Sequence, residues 1–338
     1  MIVETMAPYC TGVNYHSGTI EITTRIAVTG RLTARAPGDT QRRRQAGETG
    51  EGTAMRTYRE TLHPGFEQVL HLKGEPLVER RSDFQHIEVF DSVANGRVLV
   101  LDGILQLTDR DEHAYSEMLA HPPILEHGNV KRVLIVGGGD GAVAEEVLKH
   151  PEVNQVDLVD IDAEVVEVAK QHFAHVHRGA FDDRRLTFHA ADAFDFLGRT
   201  EAGRYDLAIA DRPDPVGPAQ SLFARDFYSR LQAALGDRGV AVFQTGCPFY
   251  QGEELTETHK LLAGVFPTVG VYLTAVPTYT GGFMALTYGA NGLELGRIKR
   301  STLQQRFDDA AIATETYTPA VHQAAFALPP WMARLLDA

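Results

Sequence analysis

Four aspartates stand where short apolar or alternating runs end: Asp140, Asp160, Asp192 and Asp211, with Asp214 close behind the last. Carboxylates converging on one place, with no cysteine or histidine ligand set beside them, suit an amine or a sulfonium better than a phosphate. Asp140 sharpens this. It lies inside a glycine turn, Gly137, Gly138, Gly139 and Gly141, where nucleotide-binding folds usually seat a pyrophosphate. An anion there repels phosphate and favours a cationic nucleoside, for which a sulfonium is the natural candidate. Asp160 follows the glycines by about twenty residues, the spacing at which such folds hold a ribose hydroxyl. The plainer readings are that the turn is structural and that acids cap helices, as Asp192 does at the start of one.

These residues need a frame that gathers them. Lys131 to His150, KRVLIVGGGDGAVAEEVLKH, reads as strand, turn and helix: Val133 to Val136 form an unbroken apolar run, and helix formers follow the glycines. A second apolar strand, VDLVD, ends in Asp160. Similar runs predict strands near 132–137, 155–160, 185–190 and 205–210, and helices near 142–149, 163–173, 192–198 and 224–235. Further strands follow near 239–244, 269–276 and 283–289. This βα alternation predicts a largely parallel, doubly wound sheet that binds ligands outside the carboxyl ends of its strands. Directly after the strand LAIA comes DRPDPVGPAQSLF, Asp211 to Phe223, with two acids and three prolines. It reads as a lid that also supplies a base, or as a plain connector.

Ahead of this sheet, residues 55–108 read as a small antiparallel β domain, with FEQVLHL, HIEVFDSV and RVLVLDGILQLT as strands and Asn95–Gly96 as a hairpin signal. Asp109 to Leu119 reads as a helix followed by the pair Pro122–Pro123. Residues 109–338 form the Rossmann-like catalytic domain in this reading. Residues 1–54 are rich in Thr, Gly and Arg and read as an N-terminal extension without fixed structure, either a flexible arm or the result of a start codon placed too early. Only TIEITTRIAV within it reads as a strand.

A net charge of −13 argues against nucleic acid as the main partner and is compatible with a cationic substrate. No apolar run approaches a membrane span, and no signal-like segment opens the chain. The two cysteines, Cys10 and Cys247, form no disulfide framework, so a cytoplasmic setting is expected. His113, Glu117 and His121 are spaced to share a helix face and hold a metal, but His121 falls at the expected frayed end, and no metal is expected. His172, His175 and His177 read as surface cations near a helix C-terminus.

The segments LDGILQLTDRDEHAYSEMLAH, VLIVGGGDGAVAEEVLKHP, VDLVDID, DRPDPVGPAQSLF, VPTYTGG and TPAVHQAAFALP resemble the spermidine synthase family, the polyamine aminopropyltransferases, from about Met55 to the C-terminus. The resemblance implies a class I methyltransferase-like doubly wound sheet preceded by a small β domain, assembled as a homodimer or homotetramer. It implies transfer of an aminopropyl group from decarboxylated S-adenosylmethionine, as co-substrate, to a diamine, with putrescine the usual acceptor and spermidine and methylthioadenosine the products. By resemblance Asp140 holds the donor's propyl amine, Asp160 the ribose and Asp192 the adenine. Gln85 and Gln106, with Gly137 and Gly139 of the turn, lie on the donor side. Asp211 is the acid/base, helped by Tyr115. Tyr115, Tyr279 and Asp214 line the amine site.

The chain departs from the family pattern in places. The lid opens Asp211-Arg212-Pro213-Asp214-Pro215 where Asp-Ser-Ser/Thr-Asp-Pro is usual, Ala191-Asp192-Ala193 surrounds the adenine acid, and Asp160 replaces the usual Glu. Ser116 stands where the family has His or Gln, removing a polar group near the donor's amine end. Arg212 puts a cation beside the proposed base. It could pair with Asp211 and lower its basicity, repel a diamine, or take an acceptor's carboxylate. Two other functions share the same pocket: an S-adenosylmethionine-dependent amine N-methyltransferase, and a non-catalytic relative that binds polyamine or nucleoside.

Overall fold

The computed structural model describes residues 14–16, 19–21, 55–212 and 222–337. The chain divides into two units, Met1–Gly52 and Thr53–Ala338. In the first, β1 (Asn14–His16) pairs antiparallel with β2 (Thr19–Glu21). The second strand lies within the stretch expected to form one, and β1 was not expected. The rest of what was expected of residues 1–54 lies outside the described residues.

The second unit opens with antiparallel strands. β3 (Thr57–Glu60) pairs with β4 (Gln68–His71). A four-stranded meander runs in chain order through β5 (Val78–Arg81), β6 (His86–Ser92), β7 (Gly96–Leu101) and β8 (Ile104–Thr108). Asp102 (φ 49°) and Gly103 (φ 78°) make the two-residue link from Leu101 to Ile104. Two positive φ angles in succession match the twist of a tight hairpin. Strand alternation then divides the side chains. Ile87, Val89, Leu99 and Leu107 join one core cluster, and Phe90, Val98 and Val100 join another with Tyr58 and Leu72.

Helix α1 (Glu112–His127) corrects the expectation that the proline pair follows the helix: Pro122 and Pro123 lie inside it. Proline cannot donate to the carbonyl four residues back. Here the Tyr272 hydroxyl donates to the Met118 carbonyl at 2.9 Å and replaces the bond Pro122 cannot make. The helix is buried on nearly every side and ends at Gly128 in the left-handed conformation. Tyr272→Phe should therefore leave a buried carbonyl unpaired and cost about 1–3 kcal/mol. Denaturant unfolding measures it, and an unchanged stability would refute this account of the prolines.

The large sheet follows. Its strands are β9 (Arg132–Gly137), β10 (Gln155–Asp160), β11 (Leu186–Ala190), β12 (Tyr205–Asp211), β13 (Leu235–Gln244), β14 (Thr268–Ala275) and β15 (Phe283–Ala290). Between them run α2 (Ala142–Leu148), α3 (Ala163–His172), α4 (Ala174–His177), α5 (Ala193–Leu197), α6 (Arg225–Ala234) and α7 (Gly252–Ala263). After β15 come α8 (Arg300–Ala310), α9 (Pro319–Ala325) and α10 (Pro330–Leu336). The order is β11-β10-β9-β12-β13-β15-β14, parallel through the first five, with β15 antiparallel to both neighbours. Both faces are covered, which is why the central strands read as unbroken apolar runs. Val133, Ile135, Leu207, Ile209, Val240 and Val242 pack with α1 and α2. Leu134, Val136, Ala208, Ala210, Ala241 and Phe243 pack with Phe227, Tyr228 and Leu231 of α6.

The chain works outward from β9 to β11, then returns to lay β12 on β9's other side. The crevice at that reversal is where such sheets bind ligands. Gly137 and Asp211 are register partners at its floor.

Candidate active site

Two cavities meet at the β9–β12 reversal. The larger, about 270 Å³, is lined by Gln85, Gln106, Gly137 to Asp140, Asp160, Asp192 and Asp211, with apolar Leu99, Leu101, Val136 and Val165. The smaller, about 80 Å³, is lined by Glu60, Gln106, Glu112, Tyr115, Asp140, Asp211, Gln244 and Tyr279. Ile104, Gln106, Asp140, Asp211 and Arg212 belong to both walls. The structure thus brings together every site residue expected from sequence except Asp214, which lies outside the described residues.

The glycine turn is built for close approach. Gly137 has φ 78°, and a Cβ there would come within 2.0 Å of the Asp211 carbonyl oxygen. No side chain fits. A Cβ at Gly139 would come within 2.8 Å of Asp160 Oδ2. Instead the Gly139 N–H donates to that oxygen at 3.1 Å, and the Asp162 N–H donates to Asp160 Oδ1 at 2.9 Å. The Ala142 N–H donates to Asp140 Oδ1 at 2.8 Å, fixing the carboxylate at the start of α2. Asp192 caps α5 by accepting from the Asp195 N–H at 3.0 Å. Gln85 donates to Asp162 Oδ2 at 2.8 Å, tying the loop before β6 to the N-cap of α3.

At the junction of the cavities the Tyr115 hydroxyl donates to Asp211 Oδ1 at 2.7 Å. Tyr279 meets the Tyr115 ring edge-on, 5.7 Å between centroids, and its hydroxyl donates to the Gln106 carbonyl at 2.6 Å. Burial, with the Asp140 charge second, pushes the Asp211 carboxyl up to about 7 against the Tyr115 hydrogen bond. Burial raises Asp140 as well, and raises Asp160 to about 6. Half-buried carboxyls that resist ionisation on their own are stabilised as anions by a cation beside them.

Sequence reasoning missed Glu112 and Gln244. Glu112 is one turn before Tyr115 on α1, and burial raises its carboxyl to about 7. The i, i+3 spacing to Tyr115 was a usable signal. Gln244 ends β13, a parallel strand whose end beside the crevice carries an amide in place of an acid. Ser116 is fully buried, and its hydroxyl shares a hydrogen bond between the Glu112 carbonyl and carboxylate, each at 3.0 Å, so it supports an acid of the smaller cavity.

Arg212 departs from one expectation, the pairing with Asp211. Asp211 and Arg212 are consecutive at the end of an extended strand, so their side chains leave on opposite faces. Asp211 turns to Tyr115 on the α1 side. The Arg212 guanidinium lies 3.5 Å from the Phe223 ring centroid and 5.5 Å from those of Tyr228 and Phe243, on the α6 side. No ion pair joins Arg212 to Asp211 among the described residues.

The histidine groupings have structural partners. His121 is fully buried, not at a frayed end, with Nδ1 3.0 Å from His150 Nε2 and burial lowering its pKa to about 3. Glu117 accepts the backbone N–H groups of Glu315, Thr316 and Tyr317 at 2.7, 2.9 and 2.6 Å. His113 Nδ1 is 2.7 Å from the Thr316 hydroxyl. This helix face pins the C-terminal segment to α1. Of the three expected surface histidines, His175 is exposed and 2.6 Å from Asp109, whereas His177 is buried. The short helix α4 turns its ring back into the fold.

A family model for the spermine/spermidine synthase domain matches residues 112–295, and one for the spermidine synthase tetramerisation domain matches residues 58–109. The chain belongs to the spermine/spermidine synthase family. It is 43% identical to the polyamine aminopropyltransferase of Ruegeria sp. over 276 residues, 82% of this chain and 96% of the relative. It is 42% identical to polyamine aminopropyltransferase 1 of Pseudomonas aeruginosa over 278 residues, with the same coverage of both chains. Among solved structures, a spermidine synthase in complex with the transition-state analogue AdoDATO matches with TM-score 0.79 and 30% identity, covering 88% of this chain and 98% of that one. Spermidine synthase from Thermotoga maritima matches with TM-score 0.76 and 30% identity, covering 83% and 94%. This spermidine synthase family enzyme therefore has the family's sheet and small N-terminal strands over nearly the full length of its relatives.

Proposed function

We propose that this enzyme moves the aminopropyl group of decarboxylated S-adenosylmethionine to a diamine, with putrescine the first candidate, releasing methylthioadenosine. The observation that carries the reading is the Tyr115–Asp211 hydrogen bond of 2.7 Å, at the wall shared by the two cavities. In this reading the larger cavity takes the nucleoside. Asp160 holds the ribose, Asp192 the adenine edge, Gln85 and Gln106 the donor side, and Asp140 the propyl ammonium beyond the Gly137 and Gly139 turn. The smaller cavity takes the slender amine between Tyr115 and Tyr279, with Asp214 a further acidic contact.

The acceptor nitrogen attacks the methylene beside the sulfonium. A C–N bond forms, the C–S bond breaks, and its electron pair neutralises the sulfur. Sulfonium charge already activates the leaving group, so the harder task is the amine. An alkyl ammonium has a pKa of ~10 and must shed a proton to attack. Burial lifts Asp211 to about 7, which narrows the gap between donor and acceptor of that proton. Holding amine and methylene in line supplies much of the remaining acceleration. Assembly as a homodimer or homotetramer, the division into domains at residues 54/55 and 108/109, and a cytoplasmic setting belong to the same proposal. The match of residues 58–109 to a tetramerisation domain supports the assembly.

The test is incubation with decarboxylated donor and a panel of amines, reading products by mass. Methylthioadenosine and spermidine are expected with putrescine, and no methylthioadenosine with any amine overturns the proposal. The pH profile checks the base. Only ionised Asp211 accepts a proton, so kcat/KM, which reports the free enzyme, should rise with pH through about 7. In kcat the limb should lie lower, because the bound sulfonium stabilises the carboxylate. A kcat/KM limb near the ordinary carboxylate value of about 4 would contradict the assignment.

A further inference from the structure

Arg212 is 2% exposed, and burying a guanidinium is costly unless its surroundings repay it. Nη1 donates to the Leu222 carbonyl and, at 3.1 Å, to the Tyr228 hydroxyl. The plane stacks on Phe223 between Tyr228 and Phe243, the arrangement in which aromatic faces stabilise a cation. Nε and Nη2 are shielded and without a hydrogen-bond partner among the described residues. Arg212 borders both cavities, but its guanidinium lies among the rings of Phe223, Tyr228 and Phe243, and its hydrogen bonds go to Leu222 and Tyr228. The acid whose field bears on the guanidinium is Glu254, whereas Asp140 and Asp160 are the acids that bear on Asp211.

What Arg212 does reach is chain. It ties the residue after Asp211 to Leu222 at the approach to α6, and to Tyr228 within α6. Asp211 itself is already fixed on two sides: its carbonyl is packed against the bare Cα of Gly137, and its carboxylate is bonded to Tyr115. The end of β12 would otherwise leave the sheet there, since its last pairing is Asp211 with Gly137.

We propose that Arg212 is a positioning residue, a buried cation that fastens the backbone after Asp211 to α6 and so keeps the Asp211 carboxylate on Tyr115 and turned to the reacting amine. This rests on the reading of Asp211 as the base. A base displaced by ~1 Å costs about a hundredfold in rate, whereas donor contacts on β9 and β10 are untouched by such a shift.

The experiment compares Arg212→Met, which keeps the volume and removes the donors, with Arg212→Lys, which keeps one charged donor without the planar stack. Arg212→Met is expected to lower kcat by about ten- to a hundredfold, with the donor Kd within about twofold and the kcat/KM acid limb unmoved. Arg212→Lys should recover part of the loss. Unchanged kcat in both variants overturns the proposal. So does a fall in kcat matched by the same loss of donor affinity, which marks a general structural role. An acid limb shifted upward in Arg212→Met also overturns it, because the cation would then be acting on Asp211 through its charge. Asp211→Asn separates the two readings. If it keeps wild-type turnover, the base assignment fails and the positioning role with it. If it is inactive while Arg212→Met is not, the positioning role alone fails.

Discussion

Asp211→Asn is expected to bind the donor within about twofold of wild type and to turn over at least about a hundredfold more slowly. Asparagine has the same shape, and its Oδ1 can still accept the Tyr115 hydroxyl now 2.7 Å from the carboxylate. What it cannot do is take a proton from the amine. Asp140, Asp160 and Asp192 keep their places, so donor affinity measured by calorimetry should separate lost chemistry from lost binding. Near-wild-type turnover would sink the assignment. The same substitution has a stability consequence with a definite sign. The folded carboxyl titrates near 7, above the ordinary aspartate value, so the native state binds the extra proton. Asp211 therefore makes stability fall as pH rises from about 4 to about 7. Removing the charge should leave Tm at pH 8 equal to or above wild type, the pattern of a group kept for reaction at the expense of stability.

Asp140→Asn is expected to weaken the decarboxylated donor by about ten- to a hundredfold while affecting ordinary S-adenosylmethionine less or in the opposite direction. The carboxylate is half-buried beside Asp211, where a hydrogen-bonded ammonium is worth about 1.5–3 kcal/mol, and each 1.4 kcal/mol is tenfold in Kd. An anion there also repels the carboxylate that distinguishes the ordinary donor. Asparagine keeps an oxygen for the Ala142 N–H, 2.8 Å away, so the start of α2 should hold. The Kd ratio of the two donors is the decisive measurement. If it is unchanged, Asp140 is a helix-start residue and the selection lies elsewhere. Because Asp211 is raised partly by the Asp140 charge, this variant should also move the kcat/KM acid limb to lower pH.

Much of the site was legible in the chain because local rules place it. A strand buried on both faces must be an unbroken apolar run, as in Val133 to Val136, and a turn that passes against another strand must be glycine, as at Gly137. Those two requirements locate the crevice, and the acids at neighbouring strand ends follow from parallel order. Glu112 was legible only in part: its i, i+3 spacing sets it on the face of Tyr115, but that α1 lies across the crevice is stated by no local pattern. The proline pair was misread for a similar reason. The bond that Pro122 lacks is made by Tyr272, far along the chain, and local helix rules do not include such a partner.

The sequence by itself determined the sheet, the glycine turn and which carboxylates could meet a cationic nucleoside, because each follows from spacing along one element. Only the tertiary structure decided what Arg212 does. Its neighbour in sequence is the proposed base, yet strand parity sends the two side chains to opposite faces. The aromatic surroundings that hold the guanidinium come from α6 with its approach and from β13, brought together only when the sheet is covered on that side.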